Sequence, residues 1–158
     1  MRDPTLPNVD QAPGSAIIGQ GGSIMMDLDL QLIEVVAVVG ASRDPEKFGY
    51  KVLKDLEHAG YEAYGVNPSC GDIEGIPCYP DLASLPRVPQ LVITVVPPSV
   101  TEKVVREAKE AGISRIWMQP GSESGEAAAY CEDNGIAYMR DACIMIFRKE
   151  GILDPGES

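Results

Sequence analysis

A continuous run of small and β-branched apolar residues, Val35–Val39, constrains the fold of this 158-residue chain more than any other feature. Such a run is typical of a central strand in a parallel sheet, because helices cover both faces of that strand. Gly40 ends the run, and a short polar loop follows it. Residues 48–59 then repeat apolar side chains at helical spacing before Gly60, which is a helix stop signal. The sequence therefore predicts a buried strand, a glycine-bearing loop and a helix, in that order.

Strands and helices alternate along the rest of the chain. Strands are predicted at 61–66, 91–96, 113–118 and 136–139, and helices at 100–111 and 127–134. This alternation favours right-handed βαβ units. We therefore predict an α/β fold, in which a Rossmann-like, doubly wound and mainly parallel sheet carries helices on both faces. The domain is expected to cover residues 32–150, with a C-terminal tail at 151–158.

Residues 1–31 differ from the rest of the chain because they mix Pro, Gly, Gln and Asp with short apolar patches. We expect a flexible or partly helical tail in this region. Its more apolar part, 24–32, can form a short helix that docks on the domain or on a second subunit. A homodimer is therefore one expectation.

Charge and composition exclude several classes of function. The 24 acidic and 13 basic residues give a formal net charge of −11, which repels nucleic-acid backbones. No apolar run approaches the roughly 20 residues that cross a bilayer, and the N-terminus does not resemble a signal peptide, so a cytoplasmic protein is expected. The four cysteines form no C-x-x-C pair, and His58 is the single histidine. We therefore expect reduced thiols and no metal site.

In an open α/β sheet, ligands bind beyond the carboxyl ends of the strands, near the point where the strand order reverses. The loops that follow the predicted strands are 40–43, 67–68, 96–99 and 119–121. We expect these four loops to meet at one crevice, although they are widely spaced along the chain.

The first of these loops is the strongest candidate for a phosphate site. Gly40 allows a sharp turn, Ser42 offers a hydroxyl, and the helix that follows presents free N–H groups at its positive end. Arg43 can bind phosphate through two parallel hydrogen bonds, whereas Lys47 acts as a point charge. The alternative is that these charges lie on an exposed turn and contact only water.

The signals of a dehydrogenase or of a nucleophilic enzyme are missing. The first loop reads G-A-S-R-D-P-E-K-F-G, which lacks the dinucleotide fingerprint G-x-G-x-x-G. Asn67 stands where an acidic residue would bind the ribose of NAD. His58 belongs to the first helix, away from the strand ends, and Ser42 and Ser99 have no histidine partner. We assign no catalytic residue, and an enzyme is the less favoured interpretation.

Ordered motifs between residues 33 and 147 resemble a known family. They read V-V-G-A-S, L-x-x-x-G-Y, V-N-P, I-x-G-x-x-x-Y-x-x-L, V-P-P, W-M-Q-P-G and D-x-C-I. Their order and spacing are similar to those of the stand-alone CoA-binding proteins of bacteria and archaea. Those proteins resemble the nucleotide-binding domain of the succinyl-CoA synthetase α subunit.

The resemblance implies that the cofactor is coenzyme A or an acyl-CoA, with its adenosine diphosphate part lying across the strand ends. Phosphate would be held by Gly40, Ala41, Ser42 and Arg43, with help from Lys47. The adenosine would be lined by Asn67 and Pro68, and its adenine or ribose would be packed by Val96 and Pro97. The pantetheine path would be bordered by Gln119 and Gly121.

Some implications of the resemblance stay open. The synthetase uses a phosphorylated histidine in a region that this chain does not match, so ligase activity is not implied. The Gln119 amide can cap the next helix instead of contacting the ligand. Cys143 lies in the D-x-C-I segment, and it would form a mixed disulfide with CoA by thiol–disulfide exchange if it reached the pantetheine thiol.

Three functions are therefore compatible with the sequence. The first, which we favour, is non-catalytic binding of CoA or acyl-CoA by a sensor or carrier. The second is an NAD(P)-binding oxidoreductase or regulator with an atypical fingerprint. The third is an interaction protein whose nucleotide pocket is vestigial.

Overall fold

The fold is seen in a computed structural model that describes residues 17–18, 24–25, 33–69 and 71–149. The described strands are β1 (Ile17–Ile18), β2 (Ile24–Met25), β3 (Val35–Val39), β4 (Glu62–Val66), β5 (Asp72–Ile73), β6 (Ile76–Tyr79), β7 (Leu91–Thr94), β8 (Arg115–Met118) and β9 (Ala137–Met139). The described helices are α1 (Phe48–His58), α2 (Pro98–Ala111), α3 (Gly125–Asp133) and α4 (Ile144–Lys149), with a short 3₁₀ turn at Leu82–Ser84.

Seven of these strands form one sheet in the order β5–β6–β4–β3–β7–β8–β9. Neighbouring strands are parallel, except that β5 and β6 are antiparallel. From the central β3 the chain adds β4 on one side and later β7 on the other, so the strand order reverses beyond the end of β3. The predicted Rossmann-like, doubly wound sheet is confirmed.

The register of the central strands brings their carboxyl ends level. Val39 pairs with Val66 of β4 on one side and with Thr94 of β7 on the other. Thr94 pairs in turn with Met118, the last residue of β8. The loops that follow these four strands therefore start from one edge of the sheet, as the sequence predicts.

Apolar layers on both faces of the sheet explain the uninterrupted run in β3. All five of its residues are buried. Val36 and Val38 belong to the core that includes Leu53 of α1 and Ile144 of α4. Ala37 and Val39 belong to the opposite core, with the buried faces of α2 and α3. Because helices cover both faces, every side chain of this strand has to be apolar.

The hairpin of β5 and β6 and the helix α4 are two elements that the sequence did not predict. The hairpin turn is made by Glu74 and Gly75, which have φ angles of 51° and 90°. The sequence pairs that predict a two-residue hairpin turn most strongly are Asn-Gly and Asp-Gly. The pair Glu-Gly is a weak signal, so the sequence did not predict this hairpin. Strand β7 ends at Thr94, two residues before its predicted boundary.

Part of the N-terminal segment is extended. Ile17–Ile18 pairs with Ile24–Met25 as an antiparallel two-stranded sheet, whereas a helix was expected from residue 24 onward. The β-branched isoleucines favour this extended form. The predictions for the rest of 1–31 and for 151–158 fall outside the described residues. None of the helices in the described ranges has the length and apolarity needed to cross a membrane.

Helix α1 begins in direct contact with the end of β3. A Cβ atom on Gly49 would lie 1.9 Å from the carbonyl oxygen of Gly40. Gly40 has a φ of 98°, and a Cβ atom there would lie 2.2 Å from the carbonyl oxygen of Val95. Both positions therefore require glycine, and together they place the first turn of α1 against the strand end.

We expect the substitution Gly49→Ala to lower the free energy of unfolding by about 1–3 kcal/mol, because the new methyl group must push the backbone of Gly40 away. Urea denaturation followed by circular dichroism measures this change. Gly125→Ala is the matched control, since Gly125 begins α3 and a Cβ atom there would meet nothing within 4 Å. Equal stability of the two variants would contradict the close approach of α1 to β3.

Candidate functional site

Backbone hydrogen bonds tie the strand-end loops to one another. The Gly40 N–H donates to the Val66 carbonyl at 2.9 Å, and the Val95 N–H donates to the Val39 carbonyl at 2.8 Å. The Gln119 N–H donates to the Thr94 carbonyl at 3.1 Å. Each loop therefore leaves the sheet from a fixed position, and the predicted crevice has a rigid floor.

Asn67, at the end of β4, connects the first two loops through its side chain. Its Nδ2 donates to the Ala41 carbonyl at 2.8 Å, and its Oδ1 accepts from the Ser69 N–H at 2.9 Å. A carboxylate at this position would have no proton to donate to Ala41. The amide that counted against an NAD site therefore also has a structural task, which is to close the loop after β3 onto the loop after β4.

A small polar pocket opens between these two loops, and we call it the loop pocket. It has a volume of about 200 Å³ and is lined by Ala41, Ser42, Arg43, Asn67 and Ser69. No carboxylate is among these lining residues. The structure thus brings together four of the predicted site residues and adds Ser69, which the sequence reasoning missed. The signal for Ser69 was its place directly after the Asn67-Pro68 pair.

Arg43 is exposed and reaches across the loop pocket to the hairpin. Its Nε donates to the backbone carbonyl of Asp72 at 2.9 Å. A Cβ atom on Gly71 would lie 3.6 Å from the Arg43 Nη2, so the guanidinium lies beside the backbone of Gly71. The unpredicted hairpin therefore orients a predicted phosphate ligand.

The hairpin is itself fastened to α1. The Tyr50 hydroxyl donates to the Glu74 carboxylate at 2.8 Å, and the Lys54 Nζ lies 3.2 Å from the same carboxylate. These two donors lower the pKa of the Glu74 carboxyl, while the Glu74 carboxylate raises the pKa of Lys54. Glu74 is exposed and Lys54 is half-buried, so water screens much of the attraction, and the contact holds the hairpin turn in place.

The start of α1 is available to an anion. Lys47 is the N-cap residue, its side chain makes no capping hydrogen bond, and the first turn of the helix contains no acidic residue. The loop before it uses its own polar groups internally, since Ser42 Oγ accepts from the Asp44 N–H and Asp44 Oδ1 accepts from the Glu46 N–H, both at 3.0 Å. The first N–H groups of α1 and the exposed Lys47 side chain therefore offer a positive end to a phosphate.

A second depression lies between the ends of β7 and β8, and we call it the strand-end cleft. Its volume is about 350 Å³, and its lining is Val95, Val96, Pro97, Pro120, Gly121 and Ser122. Three of these residues, Val96, Pro97 and Gly121, were predicted to contact the ligand. Their apolar and backbone surfaces suit an adenine ring or a pantetheine chain rather than a phosphate. Pro68, another predicted contact, is exposed beside the loop pocket.

Gln119 is fully buried, and its side chain is engaged within the protein. The Oε1 atom accepts from the Ile144 N–H at 2.7 Å, and Nε2 donates to the Cys143 Sγ at 3.5 Å. The amide therefore caps the first residue of α4, a helix that the sequence did not predict, and not the next helix in the chain, α3. The half-buried thiol of Cys143 lies next to it, behind the end of β8.

Candidate catalytic groups stay apart from these loops. His58 is the last residue of α1, so roughly 15 Å of helix separates it from the first loop. Cys131 is buried, and burial raises the pKa of its thiol to about 12, which removes it as a nucleophile. Ser99 is exposed on the first turn of α2. Among the described residues, no nucleophile and base meet at the crevice.

A larger cavity, of about 490 Å³, lies at the opposite end of the sheet. It is bounded by the segment 81–89 and by the C-terminal half of α2. Its lining includes three carboxylates, those of Asp81, Glu107 and Glu110, against one guanidinium, that of Arg87, which is paired with Glu62. Burial together with the charges of Asp81 and Glu110 raises the pKa of the Glu107 carboxyl. A polyphosphate would be repelled there, so size alone does not identify the cofactor site.

The mainly parallel sheet, with its strand order reversed at β3 and helices on both faces, defines a Rossmann-like domain. The family model of the CoA binding domain matches residues 34–149, and the chain belongs to this family.

The relatives include long ligases, which this chain matches only in part, and short proteins, which it matches over nearly their whole length. An ADP-forming acetate–CoA ligase from Archaeoglobus fulgidus is 40% identical over 127 residues, which cover 74% of this chain but 18% of the ligase. The structure of a conserved hypothetical protein from Pyrococcus furiosus is 42% identical with a TM-score of 0.69, covering 72% of this chain and 98% of that one. The structure of a hypothetical protein from Pyrococcus horikoshii is 29% identical with a TM-score of 0.75, and the match covers 78% of this chain and 89% of that one.

These matches refine the resemblance seen in the motifs. The chain spans less than a fifth of the length of the Archaeoglobus ligase, and nearly all of the Pyrococcus furiosus protein. The ligases that match are acetate–CoA ligases, so the likeness to succinyl-CoA synthetase holds only approximately.

We expect Gln119→Ala to lower the free energy of unfolding by about 1–3 kcal/mol, because the buried Ile144 N–H loses its acceptor. Urea denaturation measures the loss, and amide hydrogen exchange at Ile144 shows whether α4 frays. Glu123→Ala serves as the comparison, since Glu123 Oε1 accepts from the exposed Gly121 N–H, which water can satisfy. Unchanged stability and exchange in the Gln119 variant would contradict the capping role.

Proposed function

We propose that this protein binds coenzyme A or an acyl-CoA without catalysing a reaction, as a sensor or carrier. The observation that carries the proposal is the arrangement of three features at the point where the strand order reverses. They are the loop pocket, the uncapped start of α1 and the strand-end cleft. Membership of the CoA binding domain family supports coenzyme A as the nucleotide.

The cofactor is proposed to lie across the strand ends from the loop pocket to the strand-end cleft. The first loop, 40–43, and Lys47 hold the phosphates at the start of α1. Asn67 and Pro68 line the adenosine. Val96 and Pro97 pack the adenine or ribose, and Gly121 borders the pantetheine path. Gln119 supports this path indirectly, because its side chain holds the start of α4 in place.

Charge explains why the binding groups are so concentrated. The chain carries a formal net charge of −11, and coenzyme A is itself strongly anionic. Long-range attraction cannot bring the two together, so affinity must come from short-range donors. Helix N–H groups and two basic side chains at one loop supply these donors.

The non-catalytic role rests on the chemistry of the crevice. The half-buried Cys143 thiol accepts a hydrogen bond from the Gln119 amide, which is not a general base. A mixed disulfide between Cys143 and CoA stays a prediction. The ligase activity of the long relatives is not included in the proposal, because the matched segment is a small part of those proteins.

Isothermal titration calorimetry with CoA, NAD and ADP tests the proposal. We expect CoA to bind, ADP to bind more weakly because it lacks the pantetheine arm, and NAD to give no heat. Binding of NAD without binding of CoA would favour the NAD(P) alternative. No binding of any of the three at millimolar concentration would favour the vestigial pocket.

The double substitution Arg43→Ala, Lys47→Ala tests where the phosphates lie. We expect it to weaken CoA binding at least tenfold, since each charged hydrogen bond contributes about 1.5–3 kcal/mol and 1.4 kcal/mol is a factor of ten. The control is Lys103→Ala, Lys109→Ala, which removes the same charge from α2. Equal affinity of the two double variants would show that the phosphates lie elsewhere.

A further inference from the structure

The larger cavity is not part of the proposed cofactor path, and we call it the crossover cavity. It lies between the segment 81–89, which leads into β7, and the C-terminal half of α2. Glu110, in its wall, lies about 18 Å along α2 from Pro98, where the helix starts beside the strand-end cleft. The volume of about 490 Å³ falls within the range of roughly 300–1,000 Å³ that is usual for small-molecule sites.

One part of the cavity wall is apolar. Leu82 is buried and Leu85 is half-buried, and both pack in the core on this face of the sheet. Val88 is 59% exposed, although it is a large apolar side chain. A ligand with an apolar body would therefore remove Val88 from water while it packs on Leu85.

The other part of the wall is acidic, and two of its three carboxylates lack partners. Asp81 Oδ1 accepts from the N–H and the hydroxyl of Ser84 at 3.0 and 2.7 Å, so Asp81 caps the short 3₁₀ turn. Within the part of the chain that the structure describes, the side chains of Glu107 and Glu110 make neither a hydrogen bond nor an ion pair. Both reach solvent, so a ligand has access to them.

The position of these two carboxylates on α2 favours a cation beside them. Glu107 and Glu110 lie near the carboxyl end of the helix, which is its negative pole, and like charges three positions apart repel each other. Partial burial, and then the charges of Asp81 and Glu110, raise the pKa of the Glu107 carboxyl, and the charge of Lys103 opposes them least of all. The basic residue of the last turn, Lys109, does not line the cavity. A bound cation would supply the missing positive charge.

The chemistry of the wall also selects the kind of cation. Among the described residues, no group of three or more His, Cys, Asp or Glu side chains could hold a metal ion. A second copy of the chain would bring a further net charge of −11 to an acidic wall, which is repulsive. An ammonium group on an apolar body suits both parts of the wall, because it donates up to three hydrogen bonds to carboxylates while its body covers Val88.

We propose that the crossover cavity is a second ligand site, which binds a small primary amine with its ammonium group between Glu107 and Glu110 and its apolar body on Leu85 and Val88. Side chains three positions apart on a helix have Cβ atoms about 5–6 Å from each other, so one ammonium group reaches both carboxylates. This site goes beyond the proposed function, since none of the strand-end loops takes part in it.

NMR titration of the full chain, followed through the backbone amide signals, tests the proposal. The probes are hexylamine, hexanol and hexanoate, which share one apolar body and differ in charge. We expect hexylamine, which is protonated at neutral pH, to shift the signals of 81–89 and 107–111 saturably. It should bind about tenfold more tightly than hexanol, the gain from two partly exposed carboxylates. Hexanoate should leave these signals unchanged, because the carboxylates repel it.

The double substitution Glu107→Gln, Glu110→Gln should lower the affinity for hexylamine to that of hexanol and leave the affinity for hexanol unchanged. The matched control is Glu57→Gln, Asp133→Asn, which removes the same charge from exposed positions on α1 and α3 and should keep the preference for hexylamine. Circular dichroism checks that both double variants are folded.

Several results would overturn the proposal and leave CoA binding untouched. They are equal affinity of the wild type for the three probes, no shift of these signals at millimolar hexylamine, and an equal loss of affinity in the two double variants. Shifts of the same signals on raising the protein concentration alone would assign the cavity to a second copy instead. Binding of a blocked Leu-Lys-Leu tripeptide at these residues, without binding of hexylamine, would assign it to a partner protein.

Discussion

The site depends on the contact between the backbone of Gly40 and the first turn of α1. A side chain at Gly49 would collide with the Gly40 carbonyl oxygen, and a side chain at Gly40 would collide with the carbonyl of Val95. These two glycines therefore allow the helix start, the end of β3 and the loop after β7 to meet. A Rossmann fingerprint uses its glycines for the same purposes, a tight turn and close packing of helix on strand. In this chain two glycines nine residues apart, Gly40 and Gly49, meet both requirements. The helix can therefore pack closely on the strand without the pattern G-x-G-x-x-G.

The main sheet and its central strands follow from the sequence because their cause is local. Val35–Val39 is apolar at every position, and helices bury both of its faces. The hairpin of β5 and β6 was missed, since its strands are two and four residues long and its turn is Glu74-Gly75. That omission affected the site, because the Asp72 carbonyl orients Arg43. Contacts between residues 29 positions apart leave no pattern in a single sequence.

The residues expected in the site divide by role once their contacts are known. Arg43 and Lys47 are exposed and free to meet a ligand, whereas Gln119 is buried and caps α4. Asn67 holds the first loop through its amide. Residue type alone did not show what each amide holds in place, because both follow a buried strand. Burial and the hydrogen-bond partner distinguish them.

We propose that this acidic domain holds an anionic cofactor through one short loop at the switch point of its sheet. A crystal structure of the protein with coenzyme A measures this directly. We expect the diphosphate at the start of α1, beside Lys47, with the pantetheine arm leading past Gly121. A cofactor bound instead in the larger cavity beside Glu107, or electron density for coenzyme A away from loop 40–47, would contradict it.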